Sequence, residues 1–427
     1  MNLLSLSLRN ILHRPLQSLL SLLLLALGVG LISSVLSVQQ QVEGQLEKNL
    51  KGIDMVVGAK GSPLQLILSA VLQIDNPTGN IPLSEANRIR RHPLVKYSIP
   101  LSYGDSYQGY RIVGTDTSYI SLHGAALYEG ELWDEGMEVV AGAEAARSLE
   151  LSIGDTFLST HGLGDSGPAH DHQAFTIVGI LDWSGSVADR LLLTSTQSVW
   201  DIHAKPPPEE HSDKGHDHEE RGHEGHEHEE HDHKEHEEHA HGEEHREEGR
   251  EITALLVKFK SPAGAIMLPR AINENTPMQA AVPSYQVNRL LDLLGVGVDA
   301  LGALALLIML VSGISVFISL YNALKERLYE LALMRTYGAS PRQLFRLLLF
   351  EGLLLSGLGF ILGILLSRLG LLLLSVFAGN AHTLSDSLWT WPLHESLLLI
   401  ATLGIGLLAA LLPALKAVRV DISEALR

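Results

Sequence analysis

The chain has 427 residues, no cysteine, 46% hydrophobic residues and a formal net charge of −18 at pH 7. The length indicates two or more structural units, and the lack of cysteine excludes disulfides and thiolate metal sites. Most of the negative charge is local, because residues 209–251 hold 19 acidic and five basic side chains, a net of −14 that leaves −4 elsewhere. No basic surface stands out beyond the ends of the apolar segments, so nucleic-acid binding has no support.

Four segments are long and apolar enough to cross a membrane, since a hydrocarbon core about 30 Å thick needs about 20 apolar helical residues. They cover residues 16–38, 290–322, 347–377 and 396–415. A cleaved signal peptide is the alternative for the first, but it would have a shorter apolar core followed by a small-x-small site. The second is longer than a bilayer requires, which indicates either a stalk that leaves the membrane or a tilted helix.

Basic residues predict the orientation of these spans, because Lys and Arg accumulate in cytoplasmic segments. They occur before the first span, between the second and third, and after the fourth: Arg9 and Arg14; Lys325, Arg327, Arg335, Arg342 and Arg346; Lys416, Arg419 and Arg427. Residues 378–395 contain no Lys or Arg and include Trp389 and Trp391. We expect cytoplasmic termini (1–15 and 416–427), a cytoplasmic elbow (323–346), an extracytoplasmic domain (39–289) and a short outer loop (378–395).

Short strands alternate with short helices in residues 39–289, which predicts a mixed α+β domain between the first two membrane helices. Strands are expected at 110–113, 138–141, 174–181, 190–194 and 252–259, and helices at 84–91, 142–151, 196–203 and 263–273. Ser84 is the predicted N-cap of the first of these helices. No catalytic constellation emerges, so we do not expect this chain to be an enzyme.

Residues 204–250 form a low-complexity tract of His, Glu, Asp and Gly, with twelve histidines from His211 to His245. Such a tract has too little apolar surface to fold, so we expect disorder. Imidazoles beside carboxylates suit Zn²⁺, Cu²⁺ or Ni²⁺, and the irregular spacing favours several interchangeable sites. The predicted metal ligands are His216, His218, His223, His226, His228, His231, His233, His236, His239 and His241. A passive acidic linker is the alternative.

The segment between the second and third spans predicts a compact elbow. Residues 325–345 read KERLYELALMRTYGASPRQLF, a pattern typical of a charged amphipathic helix, a Gly-Ala break and a second helix. Ser340 is the predicted N-cap of that second helix and Pro341 its first residue.

This run resembles the Arg-x-x-Glu-Ile-x-x-x-Arg-x-x-Gly-Ala-x-x-x-Gln-Ile signature of the MacB/FtsX/LolC-type permeases of ABC transporters. Residues 412–427 resemble that family's Pro-Ala-x-x-Ala-x-x-x-Asp-Pro-x-Glu-Ala-Leu-Arg tail, with Ile422 in place of the usual proline. Residues 8–15 are similar to its entry helix, and residues 140–156 and 175–180 resemble its periplasmic core. The histidine tract is an insertion outside this resemblance.

The resemblance implies a permease subunit of the bacterial inner membrane that pairs with a second copy or a paralogue and binds two copies of a cytoplasmic ATPase. ATP-driven motion would pass through the long first and second helices to the outer domain, which would act on periplasmic cargo or a periplasmic partner protein. The implied ATPase-coupling residues are Glu330, Arg335, Gly338, Ala339, Pro341, Arg342 and Gln343.

Three functions are compatible with these patterns. The first is divalent-metal handling through the histidine tract, the second is FtsX-like regulation of a periplasmic partner, and the third is lipoprotein or peptide export with the tract as a passive linker. The spans have no continuous polar lining. We therefore expect Glu351 and Arg368 to be snorkelling or paired charges near helix ends.

Overall fold

The structure is a computed structural model that describes residues 15–161, 173–203, 249–377 and 391–418. The chain divides into two compact units, the helical unit (Met1–Gly44 and Leu290–Arg427) and the αβ domain (Gln45–Arg289). The predictions made for residues 1–14, for 204–248 of the histidine tract, for 378–390 of the outer loop and for 419–427 lie outside the described residues.

The helices in chain order are α1 (Pro15–Leu50), α2 (Pro63–Ala70), α3 (Leu83–Arg90), α4 (Ser118–Leu122), α5 (Ala143–Ser148), α6 (Thr196–His203), α7 (Pro262–Asn275), α8 (Pro283–Glu326), α9 (Leu328–Thr336), α10 (Pro341–Phe377) and α11 (Leu393–Val418). The strands are β1 (Met55–Ala59), β2 (Ile81–Pro82), β3 (Val95–Tyr107), β4 (Tyr110–Thr115), β5 (Leu127–Gly130), β6 (Glu138–Ala141), β7 (Thr156–Phe157), β8 (Thr160–His161), β9 (Phe175–Leu181), β10 (Leu191–Ser195), β11 (Glu251–Ile252), β12 (Ala254–Phe259) and β13 (Met278–Ala281).

In the part of the chain that the structure describes, four helices, α1, α8, α10 and α11, are long and apolar enough to cross a membrane. This result confirms the predicted fold class, four membrane helices with a mixed α+β domain between the first two. Each helix extends beyond the apolar segment from which it was predicted. The 44 residues of α8 make it about 66 Å long, so α8 exceeds a hydrocarbon core of about 30 Å.

The membrane helices pack closely where glycine removes the side chain. A Cβ at Gly30 of α1 would lie 3.0 Å from the Gly363 carbonyl oxygen of α10, and a Cβ at Gly352 of α10 would lie 2.9 Å from the Gly406 carbonyl oxygen of α11. Small residues at such crossings let the two backbones approach closely. Membrane helices associate through this close packing, because the hydrophobic effect does not drive association between helices that are already in lipid.

Charged residues inside the helical unit are paired across helices. Arg368 of α10 donates to the Glu395 carboxylate of α11 over 2.5 Å, and Ser33 of α1 donates to the same carboxylate over 3.5 Å. Glu395 is fully buried and lies in the first turn of α11, whereas the sequence predicted an outer-loop position for it. Glu351 lies 4.0 Å from Arg327. Both charges singled out in the sequence are therefore paired.

The αβ domain is built on one eleven-stranded sheet whose main path runs β13-β1-β12-β3-β4-β10-β6-β9-β5, with β7 beside β9 and β8 beside β3. The half from β13 to β3 is antiparallel. The other half is mixed, because β10 pairs with β4 and β6 pairs with β9 in parallel. Strand β3 is 13 residues long and belongs to both halves.

Each half of the sheet has its own apolar core. The first cluster lies under α3 and α7, and its members include Met55, Ile81, Ile89, Leu255, Phe259, Leu268 and Ile272. The second lies around α5, and its larger members are Ile112, Val139, Phe157, Phe175, Ile177 and Leu192. The domain is therefore two packed lobes joined by one long strand.

Two local predictions in this domain were wrong, and its longest strand was missed. Helix α3 begins at Leu83 with Pro82 at the N-cap position, so Ser84 is not the cap. The predicted strand 252–259 is two strands in different sheets, because Ile252 pairs with β2 whereas Ala254 pairs with β3. The long strand β3 was missed because its Pro, Ser, Gly and Asp residues have low strand propensity.

A buried arginine joins the two lobes. Arg111 of β4 is 5% exposed, and its guanidinium donates to the carbonyl oxygens of Ser69 (3.4 Å) and Asp75 (2.8 Å) and to Gln73 Oε1 (3.2 Å). It also lies over the Tyr103 ring, 4.9 Å from the centroid. The charge therefore fixes the segment after α2 against β3 and β4.

Replacing this arginine by an apolar residue is expected to destabilise the αβ domain. Arg111→Leu leaves buried carbonyl groups without a donor and lowers the free energy of unfolding by about 3 kcal/mol. The measurement is the thermal or urea midpoint of the full-length protein. Arg88→Leu, which removes an exposed arginine paired with Glu85, is the matched control and changes stability by less than about 1 kcal/mol. Equal effects of the two substitutions would count against this role of Arg111.

A buried histidine makes the stability of the domain depend on pH. Burial lowers the pKa of His123 to about 4, and the imidazole packs edge-on against the Tyr119 ring at 4.5 Å. The unfolded chain takes up this proton near pH 6.5, so the free energy of unfolding falls as pH drops from about 6.5 to 4, by up to about 3 kcal/mol. His123→Gln removes this part of the slope in urea titrations at pH 7.5 and 5. An unchanged slope would show that His123 does not carry it.

Candidate functional site

The elbow consists of α9, the turn 337–340 and the start of α10. Helix α9 ends in a Schellman motif: the Gly338 N–H donates to the Arg335 carbonyl over 3.1 Å and the Ala339 N–H to the Met334 carbonyl over 2.9 Å. Gly338 adopts a φ of +93°, the left-handed conformation in which glycine carries no Cβ penalty. The predicted Gly-Ala break is thus a defined helix end.

Helix α10 begins with a side-chain cap. Its first residue is Pro341, as predicted, and the Gln343 side chain accepts the Ser340 N–H over 2.8 Å. A glutamine three residues after the N-cap that binds back in this way satisfies a backbone donor with no intrahelical partner. Gly338 and Gln343, both predicted coupling residues, therefore have structural roles in shaping the turn.

One face of α9 is anchored in an apolar cluster at the base of the helical unit. Leu331 and Ala332 are buried. The cluster comprises Leu324, Leu331, Leu344, Leu348, Ala414 and Ala417, with Met334, Phe345 and Leu349 at its edge. Its members come from the ends of α8, α10 and α11, so α9 is held against three of the membrane helices.

The opposite face of α9 exposes an apolar stripe. Tyr329 is 60%, Leu333 39% and Tyr337 85% exposed, and their spacing of four residues aligns them along one side of the helix. The predicted coupling residues surround this stripe: Glu330, Gly338, Pro341, Arg342 and Gln343 are exposed, and Arg335 and Ala339 are half-buried. The stripe was missed in the sequence, although its i, i+4, i+8 spacing was visible there.

Charged contacts link the elbow to the neighbouring helices. Arg327, at the N-cap position of α9, lies 4.0 Å from the buried Glu351 of α10. At the end of α8, the Tyr321 hydroxyl accepts a hydrogen bond of 2.9 Å from Lys416 of α11, and Lys325 lies over the Tyr321 ring at 4.9 Å. The first contact joins α9 to α10, and the hydrogen bond between Lys416 and Tyr321 joins α11 to α8.

At the far end of α1, the residues that belong to the αβ domain are bonded to one loop of that domain. Gln45 donates to the Gly185 carbonyl over 2.9 Å, Lys48 donates to the Ser184 carbonyl, and Asn49 accepts the Val187 N–H over 3.1 Å. The buried Asp189 carboxylate holds the loop by accepting the N–H groups of Ser184 and Gly185. We call residues 45–49 with 184–189 the α1 clamp.

The second long helix enters the αβ domain directly from the sheet. Helix α8 begins at Pro283, immediately after β13 ends at Ala281. Strand β13 pairs with β1, and β1 follows α1 after a short turn. Both long helices are therefore attached to adjacent strands of one sheet.

The predicted metal ligands of the histidine tract lie outside the described residues. Among the side chains that the structure does describe, no group of three or more His, Asp or Glu residues gathers in the manner of a metal site. A cavity of about 550 Å³ lies in the αβ domain beside the two ends of the tract, and its lining includes Ser102, Trp200, His203, Gly249 and Arg250.

Two family models match this chain. A model of the FtsX-like permease C-terminal domain matches residues 302–422, which include the elbow, and a model of the MacB-like periplasmic core domain matches residues 18–215. Together they cover about three-quarters of the 427 residues.

Curated relatives include two permeases of Bacillus subtilis. The chain is 28% identical over 144 residues to the ABC transporter permease YtrF, which is 31% of this chain and 32% of that protein. It is 31% identical over 151 residues to the uncharacterized ABC transporter permease YknZ, which is 34% of this chain and 36% of that protein. The matches thus span about a third of the length of these relatives.

Solved structures with similarity include the periplasmic region of MacB from Actinobacillus actinomycetemcomitans, with a TM-score of 0.32 and 13% identity over 57% of this chain and 97% of that one. The extracellular domain of YknZ from Gram-positive bacteria has a TM-score of 0.29 and 11% identity over 53% of this chain and 98% of that one. Both family models match, and the described residues hold four helices of membrane-spanning length and one αβ domain, so this chain belongs to the MacB/FtsX-type family of ABC transporter permeases.

Proposed function

We propose that this permease receives ATP-driven motion from a cytoplasmic ATPase at the elbow and transmits it to the αβ domain. The observation that carries the proposal is the two-faced character of α9. One face is anchored through Leu331 and Ala332, and the other exposes Tyr329, Leu333 and Tyr337. Exposed aromatic residues on a rigid support are typical of protein interfaces.

The charged residues beside the apolar stripe also suit the docking of an ATPase. Glu330 and Arg342 flank it with opposite charges, which would fix the register of a docked protein. Basic residues concentrate on this side of the membrane spans, which supports a cytoplasmic elbow, cytoplasmic termini and insertion in the bacterial inner membrane. By analogy with the family, two ATPase copies would dock on a pair of permeases, either two copies of this chain or this chain and a paralogue.

Transmission would use α1 and α8. Both helices run unbroken across the boundaries between the helical unit and the αβ domain, at Gly44/Gln45 and Arg289/Leu290. The α1 clamp fixes the end of α1 to the domain by three hydrogen bonds, and α8 continues from β13. A helix is stiff along its axis, so a displacement at its base would move the strands attached at its end. The domain would act in this way on periplasmic cargo or on a periplasmic partner protein.

We further propose that the histidine tract binds divalent metal, with Zn²⁺, Cu²⁺ and Ni²⁺ as the ions suited to it, and that the permease serves metal handling. The support is chemical: twelve histidines alternate with carboxylates within 35 residues, and imidazole with carboxylate is a donor set of Zn²⁺ sites. The tract joins the αβ domain at His203 and Gly249, so bound metal would be held beside the part of the chain that moves.

The elbow is tested by removing the apolar stripe without touching the anchored face. Leu333→Ser with Tyr337→Ser should weaken ATPase docking about tenfold or more, because aromatic anchors dominate interface energies. The measurement is the ATPase activity of the partner in the presence of increasing permease in nanodiscs. Tyr128→Ser, which removes a 72% exposed tyrosine of the αβ domain, is the control and leaves stimulation unchanged. Full stimulation by the double variant would contradict docking at the elbow.

Metal binding by the tract is tested by calorimetric titration of the full-length protein with Zn²⁺. The intact chain should take up several equivalents, and a variant whose residues 204–248 are replaced by a short Gly/Ser linker should lose most of them, because the histidine ligands are gone. A Gly/Ser linker of 45 residues is the length-matched control. Equal uptake by the intact chain and both variants would exclude the tract as the binding segment.

A further inference from the structure

The αβ domain has an uneven distribution of charge. Two of its segments contain no acidic residue: residues 86–104 hold four basic side chains, and residues 252–273 hold three. Residues 129–155, which belong to the mixed half of the sheet, hold eight acidic side chains and one basic side chain. In a chain with a net charge of −18, the antiparallel half of the domain is therefore locally positive.

The fold brings the two acid-free segments together at one end of the sheet. Strand β3 begins at Val95, which lies opposite Phe259, the last residue of β12. The Lys260 N–H then donates to the Leu94 carbonyl oxygen over 2.9 Å. This junction carries four exposed basic side chains, which we call the basic end: Arg90, Arg91, Lys96 and Lys260.

The charges of the basic end are not neutralised by acidic neighbours. Within the described parts of the chain, none of the four forms an ion pair, whereas the adjacent Lys258 pairs with Asp54 over 2.8 Å. Lys96 is the extra residue of a β-bulge, because the pairing of β3 with β12 shifts between Lys258 and Phe259. Like charges gathered in this way repel one another and attract an anionic surface.

The basic end lies where both long helices join the sheet. Strand β1, which follows α1, begins at Met55 opposite Val257 of β12. Strand β13, which precedes α8, ends at Ala281 beside the start of β1. The chain therefore passes between the membrane helices and the αβ domain at the same end of the sheet that carries the four charges.

The lengths of the two helices allow electrostatic contact between this end and a membrane surface. The apolar segments 16–38 and 290–322 leave 12 residues of α1 and seven of α8 before the sheet, or about 18 and 10 Å of helix. Lipid headgroups extend about 5–8 Å beyond the hydrocarbon core, so about 2–13 Å remains. The Debye length at physiological ionic strength is about 8 Å, so charges at this separation still attract one another.

We propose that the basic end binds the anionic headgroups of the lipid leaflet on the αβ side of the membrane. The ligand is the phosphodiester of acidic lipids, which attracts Lys and Arg residues near a membrane surface. This contact is additional to coupling at the elbow. The sequence showed no such basic surface, because its two segments lie far apart in the chain and meet only through the pairing of β3 with β12.

The test places one donor dye beside the basic end of the full-length protein. The chain has no cysteine, and Ser261 is exposed and makes no capping hydrogen bond at the N-cap position of α7. Ser261→Cys therefore gives a single labelling site. The permease is reconstituted without ATPase, one copy per nanodisc, in phosphatidylcholine or in an equal mixture with phosphatidylglycerol. An acceptor dye on a few lipid headgroups then reports the ratio of docked to undocked domains by time-resolved energy transfer.

Phosphatidylglycerol should raise this ratio, and high salt should reverse the increase because it screens the attraction. Arg91→Gln with Lys260→Gln should lower the ratio in the mixed lipid about 25-fold, since each basic side chain near an anionic surface contributes about fivefold. Lys60→Gln with Arg147→Gln is the matched control. It removes the same charge from exposed positions outside the basic end and leaves the ratio unchanged.

Far-UV circular dichroism and the thermal midpoint establish that each variant is folded. Equal ratios in the two lipids, or equal ratios for the two double variants, overturn the proposal. An increase that occurs only in nanodiscs with two permease copies also contradicts lipid binding, and it assigns the basic end to acidic residues of a second copy. Because no ATPase is present, failure of this test is distinct from failure of docking at the elbow.

Discussion

The packing of α9 against the base of the membrane helices is the interaction on which the proposed mechanism depends. A short helix of nine residues is not stable alone in water, so its position comes from the burial of Leu331 in the cluster with residues of α8, α10 and α11 and from the burial of Ala332. Because interiors of this kind are close-packed, a push on α9 would, under the proposed mechanism, be passed to the neighbouring helices. The Schellman turn at Gly338 and the cap at Gln343 fix the geometry on either side. The exposed stripe is therefore presented on a rigid base.

The end of α1 that belongs to the αβ domain is also held in place, but by hydrogen bonds and not by apolar packing. In the αβ domain, hydrogen bonds from Gln45, Lys48 and Asn49 attach α1 to one loop, and Asp189 in turn holds that loop through backbone N–H groups. Such bonds from charged or buried groups are individually modest but directional. Within the helical unit, the buried pair of Arg368 with Glu395 and the glycine contacts keep the helices in register. The Arg368–Glu395 pair therefore holds α10 against α11.

The membrane helices and the elbow could be predicted from the sequence, and the features that were missed have physical causes. Membrane helices are specified by local composition, so four were found, and the elbow was found because Gly338 and Pro341 have strong local signals. Strand β3 was missed because its pairing with three strands overrides the weak propensity of residues such as Pro100 and Gly104. The exposed stripe on α9 was missed for another reason. Exposure and contacts between residues far apart in the chain depend on tertiary packing, which no local pattern contains.

The central claim is that ATP binding by the ATPase docked at the elbow moves the αβ domain. The chain contains no cysteine, so spin labels can be attached at two introduced cysteines, Ile266→Cys in the αβ domain and Leu393→Cys in the helical unit, both at highly exposed positions. Double electron–electron resonance on the permease with its ATPase in nanodiscs then gives the distance between the labels with and without trapped ATP. The account predicts a distance distribution that shifts on ATP binding and does not shift when Leu333 and Tyr337 are replaced by serine. Identical distributions with and without ATP, under conditions of full ATPase stimulation, would contradict it.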